Sequence, residues 1–458
     1  MSVLTPFPHQ LEGAAWLASR RNALLADQPR VGKTGTAILA ADDNLESSIL
    51  VVTTASGRAV WQRAFPAWSR FNRSVQVVTS AGPVTADAAI IGWPSIAKNE
   101  IRASLLQRRW DRLILDESHY AKSFATLEGA PVHRTQAAYG TPIDDGETLL
   151  DAHALAGRAA GVWALSGTPV PHNPSDLYPM MRALCPQRLQ ADPARGWPDV
   201  TKANDFLHRY CQVRMKKLPR GWRKIPVVVG GKNGDELHAR LEGFWLRRTQ
   251  QDVGIRAPIH DLMPLAVTER MLRAAEGDLD QITILKAAEA GDTKTLDMHL
   301  GPLRRNTGRI KVPAVIEAVR DEFDCGLDKV VLAYWHREVG DALADGLAKY
   351  GVLRLDGNTP AAQRGPIEQE WLSNPAKRVF LAQIEAAGEA IDLSSAAVLW
   401  FVETVFSPRS MKQMSLRITN HAQARQALVR VCVMQGSIDE AVNQRLMMLW
   451  ATIKDVLK

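Results

Sequence analysis

The stretch ALLADQPRVGKTGTAILAA, residues 23–41, decides the fold of the first part of the chain. Apolar Ala23–Ala26 predicts a buried strand, and the pattern after the loop predicts a helix. The loop between them ends in GKT, so the whole has the strand–loop–helix context of a phosphate loop. In such a loop, backbone N–H groups bind phosphate oxygens, Lys33 reaches the β- and γ-phosphates, and Thr34 binds Mg²⁺. Asp27 stands where the general pattern has glycine.

Similar apolar runs, alternating with helical patterns, recur in the first and last parts of the chain. The predicted strands are Ala23–Ala26, Ile49–Thr53, Ala88–Trp93, Leu113–Leu115, Val162–Leu165, Val330–Trp335, Val352–Leu355, Val379–Ile384, Ala397–Val402 and Leu428–Met434. This alternation predicts an α/β protein with two parallel-sheet lobes. Strand signals thin out in the middle, which is predicted to be helical. The expected domains are lobe one at 1–258 with a helical insertion at about 176–245, a helical linker at 259–300, and lobe two at 301–458.

Composition excludes several classes of protein. The 458 residues are 46% hydrophobic and 23% charged, as in ordinary globular proteins. The longest apolar run, near Ala396–Val402, is far shorter than the roughly 20 residues of a membrane span. Because the N-terminus does not resemble a signal peptide, we expect a cytoplasmic protein of a bacterial or virus-infected cell, associated with the nucleoid.

Cysteine spacing and net charge bear on the partners. The four cysteines are scattered without a CxxC pair, so no zinc or disulfide framework is indicated. The net charge of +7 suits a polyanion partner without requiring one. One basic run, Arg214–Lys224, is either a solvated face or a patch that contacts phosphates.

Two further motifs follow predicted strands. The strand Leu113–Leu115 runs into Asp116-Glu117-Ser118-His119, a Walker B arrangement in which Asp116 binds Mg²⁺ and Glu117 polarises the attacking water. Then Ser166-Gly167-Thr168-Pro169 follows Val162–Leu165. Each motif is weak alone, whereas the order GKT, DESH, SGTP is specific.

That ordered set resembles helicase superfamily two, and its details are similar to the Swi/Snf-type DNA-dependent ATPases, in a compact branch like the annealing helicases. The resemblance covers nearly the whole chain and implies two RecA-like lobes. The other similar segments are Pro8–Gly13 around Gln10, Leu207–Cys211, Phe244–Thr249, Leu355–Thr359 with Arg364, Ala387–Leu393, Ser407-Pro408, Gln413 and Arg417.

The resemblance implies a set of site residues and partners. ATP with Mg²⁺ would be hydrolysed in the cleft between the lobes, with Lys33, Asp116, Glu117 and Arg417 catalytic. The implied ATP-binding residues are Gln10, Asp27, Arg30, Val31, Gly32, Lys33, Thr34, Gly388 and Asp392. The implied coupling or DNA-facing residues are Thr53, Thr54, Trp93, Ser166, Thr168, Asp356 and Gly357. The implied partner is duplex or branched DNA, bound by a monomer without a membrane.

Three departures from the family pattern qualify the expected activity. Arg30 replaces the usual glycine of the loop, and Asn420 falls where the family has its arginine finger. Such a finger is worth about 10³–10⁵ in rate, so Arg417 or Arg425 must supply its charge or turnover is slow. Residues 127–146 resemble an insertion between the DESH and SGTP motifs.

Three functions stay open at this stage. The first is a DNA-stimulated ATPase that translocates on duplex or branched DNA. The second is a nucleotide-responsive DNA-binding scaffold with weak or no turnover, which Arg30 and Asn420 favour. The third is the motor subunit of a restriction or defence complex.

Overall fold

The computed structural model describes residues 4–55, 57–123, 133–140, 153–167, 169–170, 173–217, 224–271, 284, 286, 293–387, 391–403, 408–421, 423 and 425–444. The chain divides into two compact units, Met1–Thr249 and Gln250–Lys458. Most of the 127–146 segment lies outside the described residues, apart from one helix at 133–139.

The first unit is built on a parallel sheet. Its strands are β1 (Asn22–Leu25), β2 (Ile49–Thr53), β3 (Val75–Val78), β4 (Ala88–Gly92), β5 (Trp110–Asp116), β6 (Ala159–Leu165), β7 (Cys211–Lys217), β8 (Lys224–Gly231) and β9 (Trp245–Leu246). Seven of them form the sheet in the order β3-β4-β2-β5-β6-β1-β9, with every neighbouring pair parallel. Because the strands are parallel, their carboxyl ends meet at one edge, where the loops after β1, β5 and β6 collect.

Helices cover both faces of this sheet. They are α1 (Pro8–Ala18), α2 (Lys33–Asp43), α3 (Gly57–Trp68), α4 (Trp93–Ile96), α5 (Asn99–Leu106), α6 (His133–Tyr139), α7 (Tyr178–Leu184), α8 (Ala203–Tyr210) and α9 (Gly234–Leu241). α1, α2 and α3 pack on one face with Ala23 and Leu25, whereas α4 to α9 pack on the other with Leu24 and Ala26. Successive β1 residues thus point to opposite faces and both are buried, which is why parallel strands give uninterrupted apolar runs.

The second unit repeats the plan. Its strands are β10 (Ile259–Leu265), β11 (Val330–Tyr334), β12 (Val352–Leu355), β13 (Val379–Gln383), β14 (Val398–Phe401) and β15 (Leu428–Met434). Its helices are α10 (Thr293–Asp324), α11 (Arg337–Leu347), α12 (Ala361–Ser373), α13 (Ile384–Ala387) and α14 (Pro408–Ser415). The sheet order is β10-β15-β14-β11-β13-β12, again all parallel. α10 and α11 pack on one face, while α12 and α14 pack on the other.

The two parallel sheets with helices on both faces confirm the predicted α/β fold class. Two details of the predicted organisation are wrong. Ile259–Leu265, expected to be helical, is the edge strand β10, which pairs with β15 over seven residues. The supposedly helical 176–245 segment also contains the antiparallel strand pair β7 and β8. The described ends of the basic run, Arg214–Lys217 and Lys224, lie on these two strands. No helix among the described residues is long and apolar enough to cross a membrane.

Candidate nucleotide site

The phosphate loop joins β1 to α2, as its sequence predicts. Gly32 immediately precedes α2 with φ of +98°, a left-handed conformation that favours glycine. A Cβ there would also come within 2.4 Å of the Gln10 amide nitrogen. Arg30 has φ of +72°, a left-handed conformation that glycine adopts without steric cost, which explains why the family usually has glycine at this position. An arginine in this conformation costs about 1–2 kcal/mol, and the loop keeps its shape at that cost.

The Lys33 ammonium group folds back over its own loop. It donates hydrogen bonds to the carbonyl oxygens of Asp27, at 2.8 Å, and of Gln28, at 3.3 Å. Thr34 follows in the first turn of α2. A bound phosphate would offer Lys33 stronger acceptors than these carbonyls, because hydrogen bonds between two charged groups are about twice as strong as neutral ones.

Asp27 forms a buried ion pair with Arg248. Its carboxylate is fully buried and pairs with Arg248, whose Nε lies 3.1 Å from both Asp27 oxygens and whose backbone N–H donates at 2.9 Å. Arg248 also donates to the carbonyl of His9. The carboxylate thus holds the phosphate loop to the strand end at Arg248, and the ATP-binding role of Asp27 stays a prediction.

Gln10 connects the first helix to the loop. Its Oε1 accepts a hydrogen bond from the Phe7 N–H at 2.9 Å, and its Nε2 donates to the Gly32 carbonyl at 3.4 Å. His9 Nε2 lies 2.9 Å from the carbonyl oxygen of Val31. Gln10 is thus adjacent to the phosphate loop, as an adenine-binding residue must be, and Val31 is buried beneath it.

The acidic pair lies at the carboxyl end of β5, on the same edge as the loop. Asp116 Oδ2 accepts hydrogen bonds from the Thr53 hydroxyl, at 2.7 Å, and from the Trp61 indole N–H, at 2.9 Å. Burial and the neighbouring Glu117 carboxylate raise the pKa of Asp116, against the two hydrogen bonds and the charge of Lys33. Lys33 opens α2 after β1 and Asp116 ends β5, so the structure places these two predicted residues at the same edge of the parallel sheet.

Glu117 is coupled to the SGTP motif through His119. His119 Nδ1 lies 3.3 Å from Glu117 Oε2 and 3.0 Å from the Ser166 hydroxyl. Ser166 is fully buried, and β6, which it follows, runs between β1 and β5. His119 therefore connects the predicted catalytic carboxylate to the predicted coupling serine. Thr168 and Gly388 lie outside the described residues.

Three residues expected to face DNA are buried instead. Thr53 and Trp93 are fully buried and Thr54 is 4% exposed. The Thr54 hydroxyl accepts from the Gly57 N–H at the start of α3, and the Trp93 indole donates to the Asp116 carbonyl and stacks on Tyr120. The polar atoms of Thr53, Thr54 and Trp93 thus make hydrogen bonds inside the unit, and their coupling or DNA-facing role stays a prediction.

In the second unit, Asp356 and Gly357 form a turn after β12. The Asn358 N–H donates to Asp356 Oδ1 at 2.9 Å, while the Gly357 N–H donates to Gln383 Oε1 at 2.8 Å. Gly357 is exposed. The turn is thus anchored to β13 and presents its tip to solvent, which suits the predicted DNA-facing position.

Asp392 and Asn420 belong to one polar network. The Ser394 hydroxyl donates to Asp392 Oδ1 at 2.6 Å and accepts from Asn420 Nδ2, also at 2.6 Å. Arg417 is partly buried, and its carbonyl accepts from the Leu393 N–H at 3.1 Å. Arg425 pairs with Asp328 at 2.9 Å, just before β11 and so at the opposite edge of the sheet from the Asp356 turn. Of the two candidate finger substitutes, only Arg417 lies with the Asp392 network.

Sequence reasoning missed the roles of Arg248 and Trp61. An aspartate in an apolar strand–loop junction needs a buried cation, which was the available signal for Arg248. Nothing in the sequence indicated that Trp61 would reach Asp116, because the contact joins a helix to the end of a different strand.

Two parallel α/β units, a GKT loop and an acidic pair at one sheet edge together define a P-loop ATPase of helicase superfamily two. The family described as SNF2-related domain matches residues 9–268, and the chain belongs to that family. Membership confirms the predicted resemblance and the predicted enzyme class, a DNA-dependent ATPase.

Individual relatives extend the comparison over the whole chain. The Xenopus tropicalis protein named SWI/SNF-related matrix-associated actin-dependent regulator of chromatin subfamily A-like protein 1 is 27% identical over 459 residues, which cover 98% of this chain and 44% of that protein. The Bos taurus protein named DNA annealing helicase and endonuclease ZRANB3 is 23% identical over 94% of this chain and 38% of its own length. The chain thus spans less than half the length of these relatives. A solved structure described as the Sulfolobus solfataricus SWI2/SNF2 ATPase core in complex with dsDNA is 17% identical to this chain, with a TM-score of 0.41. The match covers 100% of this chain and 95% of the solved chain.

Proposed function

We propose that this protein is an ATP-driven translocase that acts on duplex or branched DNA. The observation that carries the proposal is that Lys33, after β1, and Asp116 and Glu117, at the end of β5, lie at one edge of the first parallel sheet. His119 Nδ1 lies near both Glu117 and Ser166 there. A phosphate-binding lysine, a metal-binding carboxylate and a general base are the parts that ATP hydrolysis requires.

The residues present fit magnesium and ATP. Mg²⁺ is usually bound by one or two protein oxygens together with water and phosphate oxygens, so a dedicated cage of acids is not needed. Thr34 and Asp116 would hold the ion, which neutralises charge on the phosphates when it is bound.

The remaining steps follow from the chain's own side chains. Lys33 would leave the carbonyls of Asp27 and Gln28 and bind the terminal phosphates. Glu117 would accept the proton of the attacking water, since its carboxylate lies beside the metal-binding Asp116. His119 would transmit the change at Glu117 to Ser166. Arg417 of the second unit would supply the positive charge that Asn420 lacks.

The proposed partner is DNA because of the family and the net charge of +7. The named activity of the bovine relative, annealing of DNA, makes branched DNA the substrate to test beside plain duplex. The exposed turn at Asp356 and Gly357 remains a proposed DNA-facing element, and the chain is proposed to act as a monomer in the cytoplasm.

We expect duplex or forked DNA to stimulate ATP hydrolysis by at least about tenfold, because a motor couples turnover to its track. Phosphate release would be measured without DNA and with single-stranded, duplex and forked DNA of equal length. Lys33→Ala supplies the blank. If the protein binds DNA but hydrolyses ATP no faster than Lys33→Ala, the motor proposal is overturned.

The second candidate is a nucleotide-responsive DNA-binding scaffold. It is favoured by Asn420, whose uncharged amide donates a hydrogen bond to Ser394 and whose buried Oδ1 has no hydrogen-bond partner among the described residues. Asn420→Arg separates the two candidates. If Arg417 already supplies the charge, turnover should change by less than about tenfold. A rise approaching the 10³–10⁵ worth of an arginine finger would mean that the natural chain is the scaffold.

A further inference from the structure

We propose that Trp61 is a positioning residue that fixes the Asp116 carboxylate for Mg²⁺. The inference rests on the proposed function and deepens it, because it assigns a role to a buried tryptophan that is distant from the phosphate loop in sequence. It starts from one feature of the site, namely that both side-chain hydrogen bonds to Asp116 fall on the same carboxylate oxygen.

The two donors reach this oxygen from different elements. The indole N–H of Trp61, in α3, lies 2.9 Å from Asp116 Oδ2. The hydroxyl of Thr53, at the end of β2, lies 2.7 Å from the same atom. β2 is the neighbour of β5 in the sheet, so the two strand ends are adjacent. The carboxylate is therefore held between a helix and a neighbouring strand.

A second tryptophan fixes the main chain of the same residue. The Trp93 indole N–H donates to the Asp116 carbonyl oxygen at 2.8 Å. Asp116 thus has its backbone held from α4 and its side chain held from α3 and β2. Because the main chain and Oδ2 are both held by hydrogen bonds, the orientation of the second oxygen, Oδ1, is fixed as well. No described residue donates a hydrogen bond to Oδ1.

This arrangement matches the need of a magnesium ligand. Mg²⁺ demands near-ideal octahedral geometry, so a carboxylate that swings freely binds it poorly. Hydrogen bonds from surrounding groups orient metal ligands, and losing one typically costs about 10- to 100-fold in metal affinity. Thr53 is itself fixed, because Gly57 packs so closely that a Cβ there would come within 2.1 Å of the Thr53 hydroxyl.

Packing alone does not account for the contact. Trp61 is fully buried among apolar residues between the sheet and α2, where phenylalanine would fill most of the same space. What phenylalanine cannot supply is the N–H that an indole ring usually pairs when buried. Trp61→Phe therefore removes the proposed function of the side chain while keeping most of its packing.

The test measures nucleotide binding rather than turnover. Binding of a fluorescent, non-hydrolysable ATP analogue would be followed as Mg²⁺ is titrated, and again in excess chelator. For Trp61→Phe we expect the Mg²⁺ concentration at half-saturation to rise by about 10- to 100-fold. The affinity for the analogue in chelator should stay within about twofold, since no phosphate contact is lost.

Trp163→Phe is the matched control. Trp163 is also fully buried in the first unit and donates its indole N–H to a main-chain carbonyl, that of Arg20, at 3.0 Å. It should leave the Mg²⁺ dependence unchanged. Thr53→Val, which removes the other hydrogen bond to Asp116, should reproduce the shift expected for Trp61→Phe. Thr53→Ser keeps the hydroxyl and should show the Mg²⁺ dependence of the unaltered protein. The Thr53 pair keeps the test decisive if Trp61→Phe does not fold.

Each outcome bears on a different claim. If Trp61→Phe and Thr53→Val match Trp163→Phe in their Mg²⁺ dependence, the tryptophan only packs and the inference is overturned. If the unaltered protein binds no nucleotide at any Mg²⁺ concentration, the proposed function itself fails. If Trp61→Phe and Thr53→Val shift the Mg²⁺ dependence and Trp163→Phe does not, the positioning role is supported.

Discussion

Glu117→Gln should lower DNA-stimulated ATP turnover by about 10²–10⁴ while ATP binding stays within about twofold, because a general base contributes roughly that factor to rate. The substitution keeps the shape and the hydrogen-bonding capacity of the side chain but removes its ability to take a proton. Glu117 lies at the end of β5, next to the buried Asp116 and 3.3 Å from His119 Nδ1. The measurement is steady-state phosphate release together with equilibrium binding of the ATP analogue.

Glu100→Gln is the matched control for this loss. Glu100 lies in the first turn of α5 and is exposed, so neutralising it should leave turnover unchanged. If Glu117→Gln hydrolyses ATP within tenfold of the rate of the unaltered protein, Glu117 is not the general base. Lost binding would instead mean that the carboxylate supports the site structurally.

Arg248→Met should lower the free energy of unfolding by about 3–5 kcal/mol, which is the typical cost of leaving one member of a buried ion pair alone. The stranded group is Asp27, fully buried in the phosphate loop. Asp27→Asn should cost a similar amount because Arg248 is itself only 13% exposed. The double variant should cost clearly less than the sum of the two, since neither charge is then left without its partner.

Urea unfolding of the full chain checks this expectation. The control is Arg425→Met, which breaks the exposed pair of Arg425 with Asp328, whose side chains are 63% and 74% exposed. Exposed pairs are worth less than about 1 kcal/mol, so this variant should stay close to the unaltered protein. Additive costs at Asp27 and Arg248 would show that the two charges do not stabilise each other.

Much of the fold was predictable because parallel strands are buried on both faces. Ile49–Thr53, Val352–Leu355 and Leu428–Met434 were predicted with the bounds that the structure has. The edge strand β10 was not predictable in this way. Ile259–Leu265 is mostly exposed and contains Asp261 and Pro264, so its sequence lacks the apolar run of a central strand. The helical insertion was predicted to run to about residue 245, whereas its last helix ends at Leu241 and Gly243, with φ of +75°, turns the chain into β9.

The candidate site was predictable where chemistry is written in short motifs. GKT, DESH and SGTP gave Lys33, Asp116, Glu117 and Ser166, which the structure brings to one sheet edge. The sequence could not separate a threonine that faces DNA from one that holds a carboxylate, because both end a strand. The family resemblance implies DNA-facing positions for Thr53 and Trp93, and it does not indicate their hydrogen bonds to Asp116. It also does not indicate that Asp27 pairs with Arg248, 221 residues further along the chain.

That long separation has a consequence for synthesis on the ribosome. The N–H groups of Leu24, Ala26 and Gln28 donate in turn to the carbonyls of Phe244, Leu246 and Arg248. At roughly 5–20 residues per second, the phosphate loop is made some 10–45 seconds before the residues that complete it. The nascent chain thus carries an unfinished nucleotide site, with the Asp27 carboxylate still unpaired, until β9 and Arg248 emerge. A chain that ends before Arg248 should be recognised by chaperones and proteases as incomplete, even though its phosphate loop is present in full.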